Sequence, residues 1–194
     1  MTAREANRTR LRLVHGGLQN QWWFHHIHIV AASEMNPPFE VKARAFEEDT
    51  FLIMSAKPTV CAPPEHPIRL MTDLINTKPQ RVGSVRVQGT RSLRFLAIVH
   101  DVNQDPTWKI EWIKSALEEI WREVEQRQLT SIGIPLLGTL HGKLEVPDFV
   151  DLFADTLLRA RFTSLKRIWL ITAAETISVL MKMFEARLTK PGTE

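Results

Sequence analysis

The stretch Ser131-Ile-Gly-Ile-Pro-Leu-Leu-Gly-Thr-Leu-His-Gly-Lys-Leu144 runs from a short apolar segment into a loop with two glycines and then toward an amphipathic helix. The apolar residues from Ile132 to Leu137 predict a strand. Gly138 and Gly142 allow tight backbone turns, and Pro147 suits the first turn of the helix that follows. A loop of this kind can aim main-chain N–H groups and the positive end of a helix dipole at a phosphate. The plain alternative is an ordinary connection between a strand and a helix.

Working outward, Ile110, Ile113, Leu117, Ile120, Trp121 and Val124 recur at helical spacing, with Asp105-Pro106 as a start signal and an end near Gln128. Downstream, a second helix turns Phe149, Leu152, Phe153, Thr156 and Leu157 inward. A strand at Arg167-Ile-Trp-Leu-Ile-Thr172 follows, and a last helix carries Ile177, Leu180, Met181, Phe184 and Leu188 on one face. This βαβαβα alternation predicts a mostly parallel sheet with helices packed on both sides.

The first half is richer in strands. Trp22 to Ala32 has the aromatic and β-branched content of one strand, ended by Asn36-Pro-Pro38. Phe39 to Phe46 alternates apolar and charged residues, as a half-buried or edge strand does. Thr50 to Met54 is continuously apolar and predicts a strand covered on both faces. From Lys57 through Pro79 the chain carries five prolines and one short helical candidate, Ile68 to Ile75. Ser84 to Gln88 and Arg94 to Val99 predict a strand pair with Gly89 in the turn.

A length of 194 residues suits one domain, here residues 21–190, preceded by a basic arm over residues 1–20 that includes Arg4, Arg8, Arg10 and Arg12. The hydrophobic fraction of 44% and the charged fraction of 24% are those of a soluble globular chain. No apolar run approaches the roughly 18 residues of a membrane span, and no signal-peptide core is visible, so a cytoplasmic location is expected. Cys61 is the only cysteine; it forbids an internal disulfide and suits a reducing compartment. The formal charge of +3 is a slight excess of bases rather than a strongly basic surface. Arg81, Arg86, Arg91 and Arg94 form either a basic stripe or a solvated face.

Three segments in register resemble the macrodomain family. Gly83-Ser-Val-Arg-Val-Gln-Gly89 followed by Leu93 is similar to one family stretch. Phe95-Leu-Ala-Ile-Val-His-Asp-Val102, with Pro106 and Trp108 after it, is similar to the family's next strand and its exit. Ser131 to Gly138 resembles the strand that delivers the phosphate loop. The resemblance implies a three-layer α/β/α sandwich with a mixed, centrally parallel sheet, and a function in binding ADP-ribose or a related nucleotide. Matched to a family variant, Gly138, His141 and Gly142 are kept in the loop, whereas Leu140 and Lys143 stand where glycines would be. A β-carbon there hinders positive φ or close approach of a phosphate, while Lys143 offers a charge on a flexible stem.

The family's paired asparagines are absent where this chain has Asp49-Thr-Phe-Leu-Ile-Met-Ser-Ala-Lys57, and Glu47, Glu48 and Asp49 are acidic candidates without an assigned role. Catalysis is therefore not expected, nor is a cofactor. The resemblance places the ligand against Gly138, Thr139, Leu140, His141, Gly142 and Lys143, with Ser55, Ala56 and Lys57 on the opposite side. The competing expectation is a degenerate scaffold that acts through a protein partner. A third, disfavoured, is nucleic-acid binding through Arg81 to Arg94 and the arm.

Other constellations carry less. His26 and His28 would share a strand face with His25 nearby, but no third metal ligand is close in sequence. Cys61 with His66, His100 or His141 lacks the oxyanion-hole signature and orienting group of a thiol enzyme. His100 is expected at the end of a buried strand. Trp112 and Trp121, at helical spacing, are expected in the core rather than on a stacking platform.

Overall fold

Alternation of small and large apolar side chains puts one face of each central strand into a shared core and leaves the other face to arginines and aromatics. The computed structural model describes residues 11–13, 20–54 and 78–189. In chain order these form strands β1 (Leu11–Leu13), β2 (Gln21–Phe24), β3 (Ile27–Ala32), β4 (Ala43–Asp49), β5 (Val85–Gln88) and β6 (Leu93–His100). Helix α1 (Ile110–Gln126), strand β7 (Ser131–Pro135), helix α2 (Val146–Arg159), strand β8 (Arg167–Ile171) and helix α3 (Ala174–Thr189) complete the order.

The strands make one eight-stranded sheet in the order β1-β2-β3-β8-β7-β4-β6-β5. The five inner strands β3, β8, β7, β4 and β6 run parallel, whereas β2 pairs antiparallel with both β1 and β3 at one edge and β5 pairs antiparallel with β6 at the other. This is the mixed, centrally parallel sheet that the family resemblance implies, and its parallel centre is what the second-half alternation predicts. Residues 11–13 of the expected arm are an edge strand of the same sheet, with Leu11 opposite Phe24.

Ile27, Ile29 and Ala31 of β3, Ala43 and Ala45 of β4, Phe95, Ala97 and Val99 of β6, Ile132 and Ile134 of β7, and Ile168 and Leu170 of β8 join the helices in one buried cluster. Helix α1 contributes Ile113, Leu117, Ile120, Trp121 and Val124 of the predicted stripe together with Ala116, whereas Ile110 is exposed. Gly133 sits in β7 because a β-carbon there would press to 3.2 Å on both Ile171 and Trp169. On the other face, Ala32, Trp169 and Ile171 pack with Phe39 and Val41, and no helix residue among the described residues belongs to this second cluster. There Arg44 lies over the rings of Phe46 and Trp169, Arg94 over Phe46, and Arg167 over Phe39, at 4.7–5.7 Å. Such contacts let guanidinium groups cover aromatic surface.

Three first-half expectations are corrected. Trp22 to Ala32 is a hairpin rather than one strand, turning through exposed His25 and His26, with His25 at φ 51°. The strand expected over residues 39–46 lies at Ala43–Asp49, and Lys42 leads into it with its amide shared between Ser131 Oγ at 3.1 Å and Ser131 O at 3.3 Å. Thr50 to Met54 is a turn, not a strand. Its amides are collected by carboxylates: Asp49 accepts from Phe51 at 2.6 Å, Ile53 at 2.9 Å and Met54 at 3.0 Å, and Glu48 accepts from Met54 at 2.7 Å. Leu52 takes φ 63° within it. An apolar run thus loses its ladder to local acceptors. The helical candidate Ile68 to Ile75, Cys61 and His66 lie outside the described residues.

Candidate functional site

Parallel strands that end together leave a crevice at their carboxyl edge, where open α/β sheets place ligands. Here a cleft of about 990 Å³ opens at that edge. Its walls come from Ser33 and Glu34 after β3, Arg44 to Glu47 of β4, the loop after β7 including Thr139, Leu140, His141 and Lys143, and Thr172 and Ala173 after β8. Leu140 is 80% exposed, so it stands at the mouth and does not plug the space.

The loop after β7 divides into a satisfied half and an open half. The Leu137 amide donates to Pro135 O at 2.9 Å and the Thr139 amide to Leu136 O at 3.1 Å. The Gly138 amide donates to the carboxylate of Glu47 at 3.0 Å. The Leu144 amide closes the loop on Gly138 O at 2.9 Å. Among the described residues, the amides of Leu140, His141, Gly142 and Lys143 have no protein acceptor.

Each glycine has a packing reason. Gly138 adopts φ 80°, and a β-carbon would collide with Ile113 of α1. Gly142 is buried against Trp108, and a β-carbon would come within 2.6 Å of Gly138 O and 3.0 Å of the indole. Neither glycine is part of the cleft wall, whereas Thr139, Leu140, His141 and Lys143 are. Lys143 takes φ 57°, a left-handed conformation more natural to glycine.

Glu47 is the residue that sequence reasoning left without a role. Its second carboxylate oxygen lies 2.5 Å from His100 Nε2, and the two side chains are 8% and 5% exposed. His100, at the end of β6, meets the ring of His141 edge-on with centroids 6.3 Å apart. The end of β4, the end of β6 and the loop after β7 are thereby joined around one carboxylate. Arg44 also lines the cleft and pairs with Glu34 at 2.5 Å. The signal for Glu47 was present as an acidic triplet at a strand end, but the misplaced strand over residues 50–54 hid it.

The remaining candidates are dispersed. Ser55, Ala56 and Lys57 lie outside the described residues. His25 and His26 sit in the exposed hairpin turn, and His28 Nε2 is 2.7 Å from Gln21 Oε1. Among the described residues no group of three or more His, Cys, Asp or Glu side chains is placed to hold a metal ion. Trp121 is buried, while Trp112 is half-buried under Lys109 Nζ at 4.9 Å. No helix among the described residues is long and apolar enough to cross a membrane.

Compared by sequence, the chain matches no family model and no curated protein. Compared by structure, it is similar to a mutant macrodomain of Oceanobacillus iheyensis with ADPR at a TM-score of 0.65 and 11% identity, covering 88% of this chain and 98% of that one. The chain has a macrodomain-like fold. The macrodomain of the same organism with ADP gives a TM-score of 0.63 at 12% identity, covering 87% and 95%. The macrodomain of Mycobacterium tuberculosis DarG gives 0.52 at 12% identity, covering 75% and 98%. The macrodomain-like likeness extends over both halves of the chain, beyond the segments whose sequence suggested it.

Proposed function

We propose that this macrodomain-like chain is a binding module for ADP-ribose or a related nucleotide, held in the cleft at the carboxyl edge of the sheet. One observation carries the proposal: among the described residues, four consecutive amides, Leu140 to Lys143, lack a protein acceptor in a loop that forms a wall of a roomy cleft. Unpaired amides of this kind are the groups with which such loops take up phosphate oxygens. Lys143 adds a positive charge at the same wall. Gly138 and Gly142 serve the ligand indirectly, by allowing the loop its shape. Ser55, Ala56 and Lys57 stay assigned to the opposite side by sequence resemblance. A cytoplasmic setting suits a chain with a single cysteine.

Titration calorimetry and thermal melting with ADP-ribose, ADP and AMP test the proposal. A ligand that binds only the folded state raises its stability by about 2.7 kcal/mol at 100 times its Kd. Binding that weakens in Lys143→Ala supports the assignment. Gly142→Glu is a poor variant for the purpose, since any side chain there strikes Gly138 O and Trp108.

A second reading, a scaffold that has lost the nucleotide and acts through protein contacts, is favoured by the Glu47 carboxylate, which lines the cleft and brings negative charge to its wall. Absence of any melting shift across the nucleotide panel selects it.

A further inference from the structure

We propose that the amino edge of the sheet, opposite the cleft, is a binding surface for single-stranded nucleic acid, with a row of exposed cations along the phosphates and Trp23 beneath a base. This surface is independent of the nucleotide proposed for the cleft.

The parallel strands all enter the sheet at this edge, so the segments that lead into them meet there although they are far apart in the chain. Lys42 leads into β4, Arg91 lies in the turn into β6, Arg159 and Arg161 lie at the end of α2, and Lys166 and Arg167 stand at the start of β8. All six residues are exposed. Among the described residues, none of the six is in an ion pair. Of the carboxylates near them, Glu123 is paired with Arg127 at 2.8 Å and Glu125 accepts from the Thr163 amide at 3.0 Å, while Glu40 is exposed. The formal charge of the whole chain is only +3, so this edge concentrates cations rather than sharing in a general basicity. None of the six lines the cleft.

Strands β6, β4, β7 and β8 are successive neighbours in the sheet. At about 4.8 Å between strands, the cations that enter with β6 and with β8 are about 14 Å apart. That is a row, suited to a chain of phosphates rather than to one anion. Arginines predominate in it, and their planar forks match phosphate oxygens.

The aromatic end of the row favours nucleic acid over an acidic polypeptide. Arg167 is opposite His28 in the β8–β3 register, and the His28 ring stacks on Trp23 with centroids 4.7 Å apart. Trp23 stays 37% exposed while the imidazole backs one face of its indole. A supported, exposed indole beside cations is a platform for an unpaired base, and a base inside a duplex has no free face to offer it.

Fluorescence anisotropy of the full chain with a labelled oligouridylate of about 12 nucleotides tests the proposal. Four phosphate contacts mean that raising salt from about 50 to about 200 mM weakens binding about 50-fold. The combined reversal Arg91→Glu, Arg161→Glu and Lys166→Glu should weaken binding about tenfold or more at the lower salt. Trp23→Ala should weaken it about fivefold, and Lys143→Ala, in the cleft, should leave it unchanged. Absence of binding by wild type at the lower salt overturns the proposal. Loss through Lys143→Ala with the edge variants unaffected also overturns it, because the strand would then lie in the cleft. Polyglutamate that displaces the probe as well as unlabelled oligouridylate does overturns it in favour of an acidic polypeptide. If the triple variant does not fold, Trp23→Ala and the salt series still decide the matter.

Discussion

The indole Nε1 of Trp121 donates to Thr156 Oγ1 at 3.0 Å, joining α1 to α2 inside the core. The threonine hydroxyl donates in turn to Phe153 O at 3.1 Å, so both polar side chains are satisfied without water. Trp121 also meets Phe153 edge-on with centroids 5.6 Å apart. Thr156→Val keeps the shape and removes the acceptor. The stranded indole N–H should cost about 1–3 kcal/mol, which for a chain of this length lowers Tm by about 2–4 °C per kcal/mol. Urea or thermal melting measures it. A variant as stable as wild type would show that the bond contributes nothing net. Nucleotide binding should not change, since neither residue lines the cleft.

Two left-handed positions in the loop after β7 should respond in opposite ways. At Gly138, alanine brings both a φ of 80° and a collision with Ile113, so Gly138→Ala should cost about 2–4 kcal/mol, from left-handed strain plus overpacking. At Lys143, where φ is 57°, glycine relieves strain of about 1–2 kcal/mol and gives back about half of that as unfolded-state entropy. Lys143→Gly should therefore be as stable as wild type or slightly more stable in urea unfolding. If Lys143 contacts phosphate, the same variant binds nucleotide more weakly. Loss of stability in Lys143→Gly would mean that the lysine side chain, not its backbone, holds the loop.

The second half was legible in the sequence because its periods are long and clean. Ile113, Leu117, Ile120 and Val124 mark a helix face that nothing local contests, and Ser131 to Pro135 is too short and apolar to be anything but a buried strand between two helices. The first half was misread wherever a local side chain overrode the pattern. His25-His26 makes a two-residue hairpin turn without the glycine or asparagine that usually announces one. The apolar run after Asp49 has strand composition, yet the carboxylates of Glu48 and Asp49 take its amides. The site suffered from the same cause. Glycines drew attention to Gly138 and Gly142, which serve packing, whereas the buried link from Glu47 to Gly138 spans 91 residues of chain and leaves no mark in local spacing.

The hairpin edge should make stability depend on pH through His28. Its imidazole sits below the ordinary histidine value, first because burial disfavours the charged ring and second because the Arg167 guanidinium, opposite it in the β3–β8 register, repels a second positive charge. The ring also stacks on Trp23, with centroids 4.7 Å apart. The folded protein thus prefers neutral His28, while the unfolded chain takes up a proton near the ordinary histidine value of 6.5. Above that pH the contribution of His28 to stability is fully present. As pH falls below it, the unfolded state gains protons first and stability declines until the folded ring also protonates. Melting from pH 7.5 down to pH 5 should therefore show a falling Tm, and His28→Gln should flatten part of that fall while leaving the neutral-pH value nearly unchanged. Arg167→Gln should flatten it less, because burial is the larger cause. A slope identical in wild type and His28→Gln would place the acid sensitivity of the fold on another group.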